Sequence, residues 1–158
     1  MECPWDKFCE KNKEYAPIVL RLVIGVAFAV HGWQKLMVYT PAGFSGAIAG
    51  WGIPTGFALF LAWVVTLVEL VGGVALVLGF AVRYFGALQA FIMLVAIFKV
   101  HINNGLTGPG GYELALLFLA GTLSLCLSGA GPLSIDNLIC GKKKAGTSSE
   151  SKAKKSRK

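Results

Sequence analysis

The sequence predicts an all-α polytopic membrane protein, built as a bundle of four transmembrane helices. Three observations predict it. First, 55% of the 158 residues are hydrophobic and 15% are charged, where a soluble domain carries about a quarter. A soluble chain this short has too much surface for its volume to hide so much apolar area. Second, the apolar residues gather into four runs, each close to the ~20 residues that cross the hydrocarbon layer as a helix. Third, the net charge of +7 sits at one end of the chain. Residues 142–158 hold eight Lys or Arg and a single acid, Glu150, whereas the 141 residues before them carry seven basic and seven acidic side chains. The body is neutral and apolar. These features exclude an ordinary soluble enzyme, a disordered protein and a disulfide-rich secreted module.

The elements follow in order. Residues 1–16 are polar, with Lys and Glu interleaved. They lack the basic stretch, short apolar core and small-residue cleavage site of a secretory signal. The first span is expected at about 17–38, with Pro17 at a first-turn position that tolerates its missing N–H. Residues 39–56 are rich in Gly, Pro and aromatics (Tyr39, Pro41, Phe44, Trp51, Pro54). They read as a re-entrant or interfacial piece with a short amphipathic helix near Gly43–Gly50. The second span is expected at about 57–79 and the third at about 82–101, joined by a tight turn near Phe80–Arg83. The Gly/Asn/Pro stretch from Ile102 to Gly111 reads as an irregular loop, and the fourth span as about 112–131. Lipid offers the backbone no hydrogen-bond partner, so runs of this length must be helical. Residues 17–138 thus form the transmembrane domain.

Residues 139–158 form a basic tail. With an even number of spans both termini share one side. The Lys/Arg bias of the tail, of Lys7, Lys11 and Lys13, and of Arg83 makes that side cytoplasmic in a multi-pass protein of the cell membrane. The tail fixes topology and suits contact with anionic lipid. Nucleic acid is not expected as a partner, because neither aromatic interleaving nor a folded basic face is present.

Six charges interrupt the apolar body: Arg21, Lys35, Glu69, Arg83, Lys99 and Glu113. His31, His101, Gln34 and Gln89 join them. His31 and Lys35 are four apart on one helix face, with Gln34 beside them. Lys99, His101 and Glu113 fall at the same outer end, and Glu69 lies near the middle of its span. An ionised carboxylate there needs a partner, with His31, Lys35 and Arg21 as candidates. The candidate pocket is therefore His31, Gln34, Lys35, Glu69, Lys99, His101 and Glu113, with Arg21 and Arg83 as ion-pair partners. Two readings stand side by side. One is a structural polar lock between helices. The other is a pocket for the polar head of a quinone, with His31 or Glu69 handling protons. Two histidines on separate helices also meet the minimum for axial haem ligation, a weaker signal. Cys3, Cys9 and Cys140 fall on the cytoplasmic side and could form a thiol relay or soft-metal site, but no C-x-x-C occurs and no metal is assigned. Cys126 reads as a small packing residue. The span glycines, Gly25, Gly32, Gly72 and Gly73 among them, read as close helix contacts.

Several strings, in order over about residues 17–138, resemble the DoxX family of small four-span membrane proteins. They are "RLVIGVAFAVHGWQKL", "VELVGGVALVLGF", "KVHINNG", "GGYELALL" and "SGAGPLSID", with Gly52-Ile53-Pro54 and Arg83 between. The resemblance implies a four-helix membrane bundle. It also implies kinship with the membrane subunit of thiosulfate:quinone oxidoreductase and with quinol-oxidase subunits, and a link to thiol-stress defence through partner enzymes. The expected function is a membrane component of a quinone-linked redox system, an oxidoreductase subunit with a redox partner protein. The alternative is a non-enzymatic scaffold or small transport protein whose buried polar residues are structural. Self-association into a homo-oligomer suits helices that expose much of their surface to lipid.

Overall fold

The computed structural model describes residues 3–139. The basic tail from residue 140 onward, Cys140 included, lies outside the described residues. The helices that build the bundle among the described residues are α1 (Pro4–Asn12), α2 (Ala16–Met37), α3 (Pro41–Ala49), α4 (Thr55–Leu78), α5 (Val82–Ala96) and α6 (Glu113–Ser128). Among the described residues there is no strand. The chain is an all-α polytopic membrane bundle. Three helical stretches, Pro4–Met37, Thr55–Leu78 and Val82–Asn104, are long and apolar enough to cross a membrane, and α6 is a shorter apolar helix.

The element ends differ from the sequence reading at two places. The polar N-terminal segment continues the first span. A single 3₁₀ turn, Lys13–Tyr15, joins α1 to α2, giving 34 helical residues, about 50 Å at 1.5 Å per residue. That exceeds the ~30 Å hydrocarbon layer, so α1 projects beyond it. Its polarity does not oppose helix. Asp6 lies in its first turn, where a negative charge suits the helix dipole, and Glu10 pairs with Lys13 three residues on. Trp5 and Phe8 stack on its outer surface, ring centroids 5.6 Å apart. At the other extreme, α6 stops at Ser128. Gly129 adopts φ +82°, and the chain turns back under the bundle.

Backbone-to-backbone contact sets the pairing of α2 and α4. A Cβ at Gly25 would stand 2.8 Å from the Gly73 carbonyl oxygen and 2.9 Å from the Val77 nitrogen. Gly32 lies against the Leu70 backbone, and Gly73 against Ala29. The two helices are therefore antiparallel and meet where small residues permit it, as association in lipid requires. α5 returns beside α4, and α6 closes the ring by packing Gly121 on Ile24 and Phe118 on Phe28. Ile24, Phe28, Leu76, Val82, Leu125 and Ala130 form the apolar core. α3 lies on the outside of α4, burying Ile48 against Ala58 and Ala62. Large apolar side chains such as Val23, Phe60, Val71, Phe91 and Leu117 face outward, as a lipid-facing surface requires.

Candidate functional site

The bundle has two polar ends. One holds the end of α2 and the start of α4, and is called here the Lys35 end. The opposite, or Arg21, end holds the α4–α5 turn and the end of α6. Both described termini emerge at the Arg21 end.

At the Lys35 end, α2 places Lys35 and α4 places Glu69 across the helix contact. The Cβ of a helical residue tilts toward the helix N-terminus, so the Lys35 stem runs back into the bundle. Its Nζ donates to Glu69 Oε2, a direct ion pair. The Glu69 side chain is 1% exposed, whereas that of Lys35 is 21% exposed. The carboxylate is thus interior, and the lysine side chain that meets it is partly exposed. Phe44 of α3 covers the ammonium, with Nζ 5.2 Å from the ring centroid. A cation against an aromatic face gains about 0.5–2 kcal/mol, more where water is excluded. α3 is held there by Pro41 in its first turn and by Thr40, whose hydroxyl accepts the Gly43 N–H at 3.2 Å.

Two fully buried polar side chains lie on or against α4 within a turn of Glu69. Thr66 is three residues before Glu69 on α4, on the same face. Gln89 comes from α5 and fits over Gly72, where a Cβ would come 2.8 Å from its Nε2. Both residues are 0% exposed. Thr66 Oγ1, Gln89 Oε1 and Gln89 Nε2 have no hydrogen-bond partner among the described residues.

The remaining expected site residues are spread wider. His31 is exposed at the seam between α2 and α6 and meets Phe118 edge-on at 6.2 Å. Gln34 is half-buried in the last turns of α2, and Glu113 is exposed in the first turn of α6. Lys99 is exposed on a π-helical stretch, Ile97–His101, that extends α5. His101 Nδ1 lies 2.7 Å from the Gly110 carbonyl oxygen, which also accepts from Asn104 Nδ2 at 3.0 Å. This histidine ties down the α5–α6 loop. Of the expected set, Lys35 and Glu69 are the pair brought into direct contact. Among the described residues no group of three or more His, Cys, Asp or Glu is arranged to hold a metal ion. Cys3 and Cys9 are exposed on and beside α1, and Cys126 is half-buried.

The two arginines belong to the Arg21 end. Arg21 is 4% exposed, and its Nη2 donates to the Leu133 carbonyl. Arg83 donates to the Cys126 carbonyl at 3.2 Å. Glu69 thus takes Lys35, rather than Arg21 or His31, as its partner. Asp136 organises this end. It accepts the N–H groups of Ala81 at 2.7 Å and Val82 at 3.0 Å, capping α5. Its own N–H donates to the Gly79 carbonyl at 3.0 Å. The turn it grips needs holding. Gly79 ends α4 in the left-handed region at φ +71°, with Phe80 N–H returning to the Ala75 carbonyl as in a Schellman ending. Ala81 then takes φ +48°, unusual for a residue with a Cβ.

The DoxX family model matches residues 16–102, which covers α2 to α5 and with them Lys35, Thr66, Glu69 and Gln89. The chain belongs to the DoxX family. Curated relatives of this DoxX chain extend the likeness through α6. A Bacillus subtilis protein named "Putative oxidoreductase CatD" is 32% identical over 136 residues, covering 86% of this chain and 96% of its own. An Escherichia coli protein named "Inner membrane protein YqjF" is 31% identical over 135 residues, covering 82% and 96%. An uncharacterized Haemophilus influenzae protein is 31% identical over 132 residues, covering 81% and 93%. No solved structure gives a significant match. Sequence reasoning passed over Thr66, which carries no charge, and gave Gln89 no role. The usable signal was Thr66 standing one turn from Glu69.

Proposed function

We propose that this protein is the membrane component of a redox system and that it handles a quinone-class carrier. The observation that carries the reading is the Lys35–Glu69 pair, an interior carboxylate joined to a partly exposed lysine. Titratable residues inside the apolar layer are rare and mark proton or substrate paths. The name of the Bacillus subtilis relative supports an oxidoreductase role. A quinone, when bound, takes up two electrons and two protons and returns them on oxidation. The residues fit such a group: Thr66 and Gln89, each on or against α4 within a turn of Glu69, have buried hydrogen-bonding atoms without a partner among the described residues.

In this reading the pair holds and passes protons. Lys35 donates to the Glu69 carboxylate, and a proton moving within the pair leaves its net charge at zero. A proton given to the carrier leaves the pair at −1, and a proton taken up from water through the partly exposed Lys35 restores it, so the isolated ion that would be costly in the apolar layer does not persist. His31 and Gln34 flank the pair on α2, while Lys99, His101 and Glu113 close the outer end. Arg21 and Arg83 hold the opposite end shut. Electrons come from a separate partner protein, and the chain serves as an oxidoreductase subunit. Its transmembrane domain is 17–138, and it lies in the cell membrane with both termini cytoplasmic. The Lys/Arg bias and the inner-membrane name of the Escherichia coli relative support that placement.

The test is binding of a short-chain benzoquinone to the purified chain in lipid nanodiscs. Glu69→Gln and His31→Ala are expected to weaken binding about tenfold or more while the fold is retained. No binding by the unaltered chain overturns the reading. A second reading, a purely structural lock, is favoured by the pair directly bridging α2 and α4. It requires Glu69→Gln to lower the thermal transition in a chain that binds no quinone.

A further inference from the structure

The hydroxyl of Thr122 on α6 is fully buried, and its own helix satisfies it, through the carbonyls of Phe118 at 2.8 Å and Leu119 at 3.0 Å. That is the ordinary fate of a threonine inside a helix. Thr66 is the same residue type, equally buried, and its hydroxyl has no such partner. Gln89 goes further, since both ends of its amide are buried and have no partner among the described residues. Such groups carry a desolvation penalty without return, and an apolar side chain of similar length would fill the space without it. Gly72 adds to the anomaly, because a Cβ there would crowd both Nε2 at 2.8 Å and Phe85 Cδ1 at 3.0 Å. Gly72 leaves space for the Gln89 amide, whose polar atoms no other described residue uses.

Resting on the quinone reading above, we propose that Gln89 is the hydrogen-bonding residue for the carrier's head group, with Thr66 supporting it. A glutamine amide suits this ligand class because it offers one donor and one acceptor. Nε2–H donates to the carbonyl oxygen of the oxidised form, and Oε1 accepts the hydroxyl of the reduced form. One side chain therefore holds both members of the couple without changing its own charge. Gly72, where the amide rests, is three residues from Glu69, about 4.5 Å of helix rise. Gln89 and Glu69 therefore meet α4 within one turn of each other, which lets both address one small polar head group. Entry is from the Lys35 end, because the core of Ile24, Phe28, Leu76, Val82 and Leu125 closes the way toward Arg21.

The experiment measures a short-chain benzoquinone and its hydroquinone binding to the full chain in nanodiscs, alongside thermal unfolding. Gln89→Met is expected to weaken both forms about tenfold or more while leaving the thermal transition unchanged or raising it. In the unaltered chain, the infrared carbonyl stretch of bound quinone is expected to shift down, and the shift is lost in Gln89→Met. Unshifted carbonyls in the unaltered chain overturn the proposal however the variant folds. Binding that Glu69→Gln weakens and Gln89→Met does not overturns this inference alone. A chain that binds no benzoquinone overturns the functional reading and this inference with it.

Discussion

The two polar ends of the bundle use the same kinds of residue to opposite effect. At the Arg21 end, charged side chains bond to backbone: Arg21 to the Leu133 carbonyl, Arg83 to the Cys126 carbonyl, and Asp136 to the N–H groups of Ala81 and Val82. These contacts pin a turn and a chain reversal. At the Lys35 end, side chain meets side chain across two helices. Buried polar atoms lack a partner among the described residues at both ends, Arg21 Nε and Nη1 at one and Thr66 Oγ1 and the Gln89 amide at the other, but Arg21 still bonds through Nη2 whereas Thr66 and Gln89 make no side-chain bond there. A charge spent on backbone carbonyls is a clasp. A charge pair near two uncharged polar side chains that make no bond at all among the described residues has capacity to spare, which is what a binding site requires.

Substitutions can break or sharpen that contrast, and the largest effect is expected at Lys35. Lys35→Met leaves Glu69 buried without its cation, and breaking a buried pair from one side costs about 3–5 kcal/mol. Thermal unfolding in nanodiscs should show the loss, and adding Glu69→Gln should restore most of it. If the double variant is no more stable than Lys35→Met alone, the pair is not the coupled unit described. Asp136→Ala comes next. It removes the acceptor for two N–H groups at the α5 start, worth roughly 1–2 kcal/mol for a helix cap. Its stability should fall while quinone affinity stays unchanged, and a parallel loss of affinity would erase the distinction between the ends. Phe44→Ala should do least, about 0.5–1 kcal/mol for the lost cation–π contact. It should also make Lys35 more reactive toward a water-soluble amine reagent.

Much of the fold was legible in the sequence, because in lipid the backbone leaves one choice. The four apolar runs had to be helices, and Gly25, Gly32 and Gly73 had to be contacts. The helical state of residues 4–15 was not legible. Their polarity marks them as outside the membrane, but helix there depends on growth from α2 and on local pairs such as Glu10–Lys13. The candidate site was legible as a set of charges and not as an arrangement. The i, i+4 relation of His31 and Lys35 placed them on one face of α2. Which of them meets Glu69 depends on the rotation of α2 against α4, which the glycine contacts set. His101 fell at the expected end, yet it bonds to Gly110 across a loop whose path no periodicity encodes.

By itself, the sequence determined the solvent this protein lives in, the number of apolar segments and the small stock of charges inside them. Burial of apolar runs and backbone satisfaction in lipid are one-dimensional constraints, readable along the chain. Only the tertiary structure decided that Lys35 takes Glu69, that Asp136 clasps the α4–α5 turn and that the amide of Gln89 fits over Gly72. Each of these joins residues far apart in the chain, and their meeting depends on helix rotation and register, set by close packing among α2, α4, α5 and α6.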